Sequence, residues 1–119
     1  SIESVTMVEL DGEVVDVARK WFGRIHNGVF DNRKLRLLID DGMKFLAETT
    51  EKFDLIALDL PDPIGPATAL YEEPFFRDCR KALAPGGVLT LHMGSPVSKP
   101  ERVRAHAERL ARVFPVVKP

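Results

Sequence analysis

Phe53-Asp54-Leu55-Ile56-Ala57-Leu58-Asp59-Leu60-Pro61-Asp62-Pro63-Ile64-Gly65-Pro66-Ala67-Thr68 is a strand that runs straight into a stiffened acidic loop. Residues 53–58 are apolar except for Asp54, the pattern expected of a strand buried on both faces of a sheet. Asp59 to Thr68 carries three prolines and a glycine, so the chain must leave the sheet there. Upstream, Leu35 to Ile39 reads as another strand, and Asp41 suits the cap of a helix with Met43, Phe45 and Leu46 on its apolar face. Further upstream, Ile2 to Leu10 is mostly apolar and β-branched and reads as the first strand. Asp11 then caps a helix through Val14, Val15, Ala18, Trp21 and Phe22, which stops before Gly23, and Gly23 to Asn32 is turn-rich. Downstream, Pro74 opens a helix that buries Phe75, Phe76, Cys79 and Leu83 and stops at Pro85-Gly86-Gly87. Val88 to Met93 is the fourth strand. Ser98-Lys99-Pro100-Glu101 forms a capping box for a helix through Val103, Ala107, Leu110 and Ala111, and a fifth strand is expected from Val113 to Val117. Trp21 and the phenylalanines are read as core.

Strands alternating with helices at this spacing predict an α/β fold, a parallel sheet with helices on its faces. Its 119 residues predict one domain, on a working scale of roughly 100–200 residues per domain. Seventeen Lys and Arg against eighteen Asp and Glu give a net charge of −1, which argues against a nucleic-acid partner. The charge is uneven: +4 from Ser95 onward and −5 before it. No apolar run approaches the roughly 20 residues that cross a bilayer, and no basic-then-apolar leader opens the chain. Cys79 is the only cysteine, which excludes an intrachain disulfide and a cysteine-based metal cluster. No membrane contact and a cytoplasmic location are the expectations.

In such a sheet, ligands bind at the carboxyl ends of the strands. Three strands in succession end in acid: Glu9 and Asp11, then Asp40 and Asp41, then Asp59 and Asp62. A single Asp after a strand is most often a cap or turn former, and that reading suits Asp11 and also Asp41. Glu9 stands where a nucleotide-binding sheet places an acid for the ribose hydroxyls, and Asp40 or Asp41 is placed to accept from an adenine amino group. Asp59 and Asp62, with prolines between and after them, form a pre-set acidic pocket suited to an amine that must be oriented and deprotonated. A metal site ranks lower, because a hard cation wants more oxygen ligands than these two supply. His26, His92 and His106 match no ligand spacing. His92 ends a strand at the rim and is a candidate for touching substrate, whereas His106 is expected on a solvated face, like the arginines of the last helix. There is no Gly-x-Ser-x-Gly elbow and no Walker loop.

Val8-Glu9-Leu10-Asp11, Asp40-Asp41-Gly42, Asp59 to Ala67 and Leu83-Ala84-Pro85-Gly86-Gly87-Val88-Leu89 together resemble the spermidine synthases, the polyamine aminopropyltransferases. The match runs in order over nearly the whole chain, and the Asp-x-x-Asp-Pro-x-Gly-Pro-Ala loop is its most specific part. The resemblance implies a Rossmann-like sheet of the S-adenosylmethionine-methyltransferase type. It also implies aminopropyl transfer from decarboxylated S-adenosylmethionine to a diamine, with no metal. By position, Glu9 would hold the ribose hydroxyls and Asp41 with Gly42 the adenine, in a pocket lined by Pro66 and Ala67. Asp59 would be the catalytic carboxylate, with Asp62, and His92 near the amine site, binding the acceptor. The family commonly has Ser or Thr where this chain has Leu60-Pro61, and often Gln near His92; putrescine is the default acceptor.

The family's glycine-rich loop, on a strand before Ile2, and its N-terminal β-domain are not matched. Residues 1–119 are therefore expected to form a single, partial catalytic domain. The absent strand would lie between the Ile2–Leu10 and Phe53–Leu58 strands, leaving unpaired backbone on both. A homo-oligomer, or a partner chain completing the sheet, would answer that, and full activity of the chain alone is not expected. Two other readings are weighed: a small-molecule methyltransferase on the same sheet, which has no general need for the second carboxylate, and a non-catalytic module that binds polyamine or nucleoside.

Overall fold

β-branched and apolar residues at Val5–Glu9 (β1) and Leu35–Ile39 (β2) pair as parallel strands, with Val5 opposite Leu35 and Glu9 opposite Ile39. The computed structural model describes residues 2–118 and divides the chain into two units, one ending at Phe45 and the other beginning at Leu46. In the first unit β1 leads into α1 (Gly12–Trp21), a short α2 (Gly23–His26) and a 3-10 turn at Val29–Asp31 before β2. The second strand leads into α3 (Gly42–Glu48), which crosses the boundary between the units. The second unit carries β3 (Phe53–Leu58), a 3-10 helix at Gly65–Tyr71, α4 (Glu73–Ala82), β4 (Leu83–Leu91) and α5 (Pro100–Val113). β3 and β4 are parallel, so α4 is a crossover helix.

The fold class is the α/β type expected, and the strand-and-helix alternation is as read. The strands form two separate two-stranded parallel sheets, β1-β2 and β3-β4, rather than one continuous sheet. Several finer expectations need correction. β3 is not buried on both faces: Ile56 is buried while Leu55 is 57% exposed. In register, Ile56 and Leu58 lie beside Leu89 and Leu91 on the covered face. Leu55 and Ala57 lie beside Val88 and Thr90 on the open one. The helix before β4 ends at Ala82, ahead of Pro85, because Leu83 already pairs with Phe53. The register then jumps to Leu55 beside Val88. A Cβ on Gly87 would stand 2.9 Å from the Phe53 carbonyl oxygen, so this close backbone approach needs glycine.

α4 supplies the core with Phe75, Phe76, Cys79 and Ala82, and α5 with His106, Leu110 and Val113. Burial pushes the Cys79 thiol up to about 12, with the Asp78 charge adding, so it is an inert packing group. Charged side chains tie α4 to α5: Arg112 to Glu73 at 2.8 Å and Arg109 to Glu72 at 3.6 Å. Trp21 is not core; it is 70% exposed, with the Lys20 ammonium 5.0 Å from its ring. Helical spacing marked an apolar stripe on α1, but only Val15 of that helix is buried. The capping box at Ser98 does not form. Lys99 occupies the N-cap of α5 with no side-chain bond, while Ser95 Oγ accepts from the amides of Val97 and Ser98. No fifth strand forms at residues 113–117; Val113 is the last residue of α5 and Phe114 its C-cap. Among the described residues no helix is long and apolar enough to cross a membrane.

Candidate functional site

Each unit carries carboxylates at the carboxyl ends of its strands, and local backbone geometry sets them. In the first unit Glu9 is the last residue of β1 and half-buried. Its Oε1 accepts from the Asp11 amide at 3.0 Å, and its carbonyl accepts from the Asp40 amide at 3.0 Å. Asp11 caps α1 as expected, its Oδ1 accepting from the Glu13 amide at 2.9 Å. Asp40 Oδ1 takes the Asp41 amide at 2.8 Å, and Asp41 Oδ1 takes the Met43 amide at 2.8 Å, capping α3. Glu9 and Asp41 are thus each fixed through one oxygen. Beside Asp41, a Cβ built on Gly42 would meet nothing within 4 Å, so that flank is open.

In the second unit Asp59 follows the end of β3, and both Asp59 and Asp62 are exposed. The loop between them is braced from beneath. Tyr71, only 3% exposed, donates its hydroxyl to the Pro61 carbonyl at 2.9 Å. The Ile64 amide donates to the Asp62 carbonyl at 2.7 Å. Burial raises the Tyr71 phenol above its ordinary value, and the negative charges of Asp62 and Asp59 add to the rise, while Arg102 opposes it. Pro66 and Ala67 open the 3-10 helix that leads down to Tyr71. Pro66 is exposed and Ala67 half-buried. His92 follows the last residue of β4 and is exposed, beyond Thr90 on the open face.

Three residues behind this loop were missed or misassigned from the sequence. His106 is not on a solvated face: it is 4% exposed, its ring centroid 4.8 Å from that of Tyr71. Its Nδ1 lies 3.3 Å from Arg109 Nη1, and its Nε2 is buried without a partner among the described residues. Burial, then the charges of Arg109 and Arg102, lower its pKa, so the ring is held neutral. Arg102, read as part of a solvated face, reaches forty residues back to place Nη2 3.3 Å from Asp62 Oδ1. Tyr71 drew no attention as a support. The signal for the first two was in the sequence: Arg102, His106, Leu110 and Val113 recur at intervals of four, four and three, one face of a helix. Among the described residues no three His, Cys, Asp or Glu gather as a metal-binding group.

Parallel strands that end in carboxylates and are linked through helices are the arrangement of the methyltransferase-like α/β class. The chain belongs to the spermine/spermidine synthase family, whose domain model, "Spermine/spermidine synthase domain", matches residues 1–119. It is 44% identical over 119 residues to the polyamine aminopropyltransferase of Nitrosomonas europaea, covering all of this chain and 37% of that protein. To polyamine aminopropyltransferase 1 of Pseudomonas aeruginosa it is 45% identical over 114 residues, 96% of this chain and 40% of that one. Among solved structures, a spermidine synthase in complex with the transition state analogue AdoDATO superposes with a TM-score of 0.85 at 28% identity. That match covers 96% of this chain and 39% of the other. The spermidine synthase of Thermotoga maritima gives 0.79 at 27%, covering 96% and 38%. The chain therefore spans about two fifths of the length of the curated relatives it matches.

Proposed function

We propose that this chain is the part of an aminopropyltransferase catalytic domain that carries its donor-nucleoside acids and its amine-activating loop. The reaction is transfer of an aminopropyl group from decarboxylated S-adenosylmethionine to an amine, with methylthioadenosine as the second product. The observation that carries this reading is the Asp59–Asp62 loop at the end of β3, held by the Tyr71 hydroxyl on Pro61. Relatives named polyamine aminopropyltransferase and a spermidine synthase bound to a transition state analogue support it.

The chemistry suits the carboxylates. An alkyl ammonium titrates near 10.4 by analogy with lysine, so forming the free amine at pH 7 costs roughly 4–5 kcal/mol. Asp59 accepts the departing proton's hydrogen bond and aims the nitrogen lone pair at the carbon next to the sulfonium. The N–C bond forms as the C–S bond breaks, the electron pair returns to sulfur, and the thioether leaves neutral. Glu9 receives the ribose hydroxyls and Asp41, beside open Gly42, the adenine amino group. Pro66 and Ala67 line the base, while Asp62 and His92 face the acceptor. A methyltransferase on the same fold has no general use for Asp62.

Asp59→Asn tests the assignment. With decarboxylated S-adenosylmethionine and 1,4-diaminobutane, and methylthioadenosine release as the readout, turnover falls by about 10²–10⁴. Methylthioadenosine affinity stays within about twofold, about 0.4 kcal/mol. Equal turnover in both proteins removes Asp59 from the mechanism.

A further inference from the structure

His106 is buried in the second unit where nothing receives the extra proton of an imidazolium. It is 4% exposed and shares the buried face of α5 with Leu110 and Val113. Arg109 Nη1 lies 3.3 Å from its Nδ1. A guanidinium only donates, so Nδ1 accepts and the proton of the neutral ring sits on Nε2. Nε2 in turn is buried without a partner among the described residues. A charged ring would therefore point one N–H at a cation and leave the other without an acceptor. The charges that act on the ring are Arg109 and Arg102 on its own helix and Glu72 at the N-cap of α4. Glu72 is engaged elsewhere, its Oε2 3.6 Å from Arg109 Nε.

The other face of the ring leads to the loop between Asp59 and Asp62. Tyr71, the titratable group stacked on His106, has its ring centroid 4.8 Å away and tilted by 38°. Tyr71 is 3% exposed and donates its hydroxyl to the Pro61 carbonyl at 2.9 Å, between the two carboxylates in sequence. A protonated ring must turn from Arg109, which Glu72 tethers, and turning withdraws the surface on which Tyr71 rests. We propose that neutral His106 is a positioning residue for the acidic loop: it backs Tyr71, Tyr71 holds Pro61, and protonation of His106 lets the loop go. Neither His106 nor Tyr71 touches substrate in this scheme; both act on the backbone that carries Asp59 and Asp62. That the loop serves an amine rests on the function proposed above, whereas the coupling of His106 to the loop stands apart from it.

An NMR titration of the isotope-labelled chain between about pH 7.5 and 5 tests the coupling. The ring signal of His106 reports its charge. The amides of Leu60, Asp62 and Ile64 report the loop, the last of them donating to the Asp62 carbonyl at 2.7 Å. The Ile56 amide, in β3, reports global unfolding. In wild type the loop amides are expected to shift with the same midpoint as the His106 ring while Ile56 stays in place. In Tyr71→Phe the ring still titrates, but the loop amides start at their acid positions and move no further. In His106→Gln the loop amides keep their neutral positions throughout. Loop amides that stay still while the ring titrates overturn the inference, as do loop amides that shift equally in His106→Gln. A ring still neutral at about pH 5 overturns it too. If His106→Gln does not fold, Tyr71→Phe decides: loop amides that follow the ring without the hydroxyl rule out the path through Tyr71. None of these signals needs turnover, so a wild-type chain that releases no methylthioadenosine counts against the proposed function and leaves the coupling in place.

Discussion

Asp41 shows how one residue can serve local structure and a proposed site together. Its Oδ1 completes the cap of α3 on the Met43 amide, and the proposed function gives the same carboxylate the adenine amino group. Tyr71 works the other way round, a core residue whose polar tip braces the loop between Asp59 and Asp62. Its hydroxyl on the Pro61 carbonyl is one hydrogen bond from a buried ring to an exposed loop, worth about 1 kcal/mol. Tyr71→Phe is predicted to lower the unfolding free energy by about that amount, measured by urea denaturation at constant slope. No loss in this variant would mean that the hydroxyl does not support the loop.

At the scale of elements, α5 carries a pH consequence. His106 packs on Tyr71 from the middle of the helix, with Arg109 on its Nδ1, Arg102 one turn before it, and Glu72, the N-cap of α4, pulling the other way. Its folded pKa lies below the ordinary value of about 6.5, so on acidification the unfolded chain takes up the proton first. The stability held by the neutral ring is complete above about pH 6.5 and declines as the pH falls toward the folded value. Thermal melts between about pH 7.5 and 5 are predicted to drop more steeply for wild type than for His106→Gln. Parallel curves would contradict the neutral, buried ring.

The same helix shows what the sequence made legible. Strands β1 to β4 and the caps at Asp11 and Asp41 were readable because periodicity and capping act within a few residues. The reach of Arg102 to Asp62 spans forty positions, which no local pattern encodes. Trp21 and Leu55 were read as buried because a pattern marks an apolar stripe but not whether anything covers it. The absent strand at residues 113–117 fails for a related reason: the α5 pattern simply runs on to Val113.

At the scale of the whole molecule, each unit carries its own acids: Glu9 and Asp41 in the first, Asp59 and Asp62 in the second. The proposed function requires all of them to serve one reaction, and methylthioadenosine is the ligand that probes the donor half without requiring turnover. Its isothermal titration into this chain, with and without 1,4-diaminobutane, tests the account most directly. The account predicts saturable binding that persists with the diamine present and is weakened at least tenfold in Glu9→Ala, about 1.4 kcal/mol. A folded chain that binds no methylthioadenosine, or binds it equally well as Glu9→Ala, would contradict it.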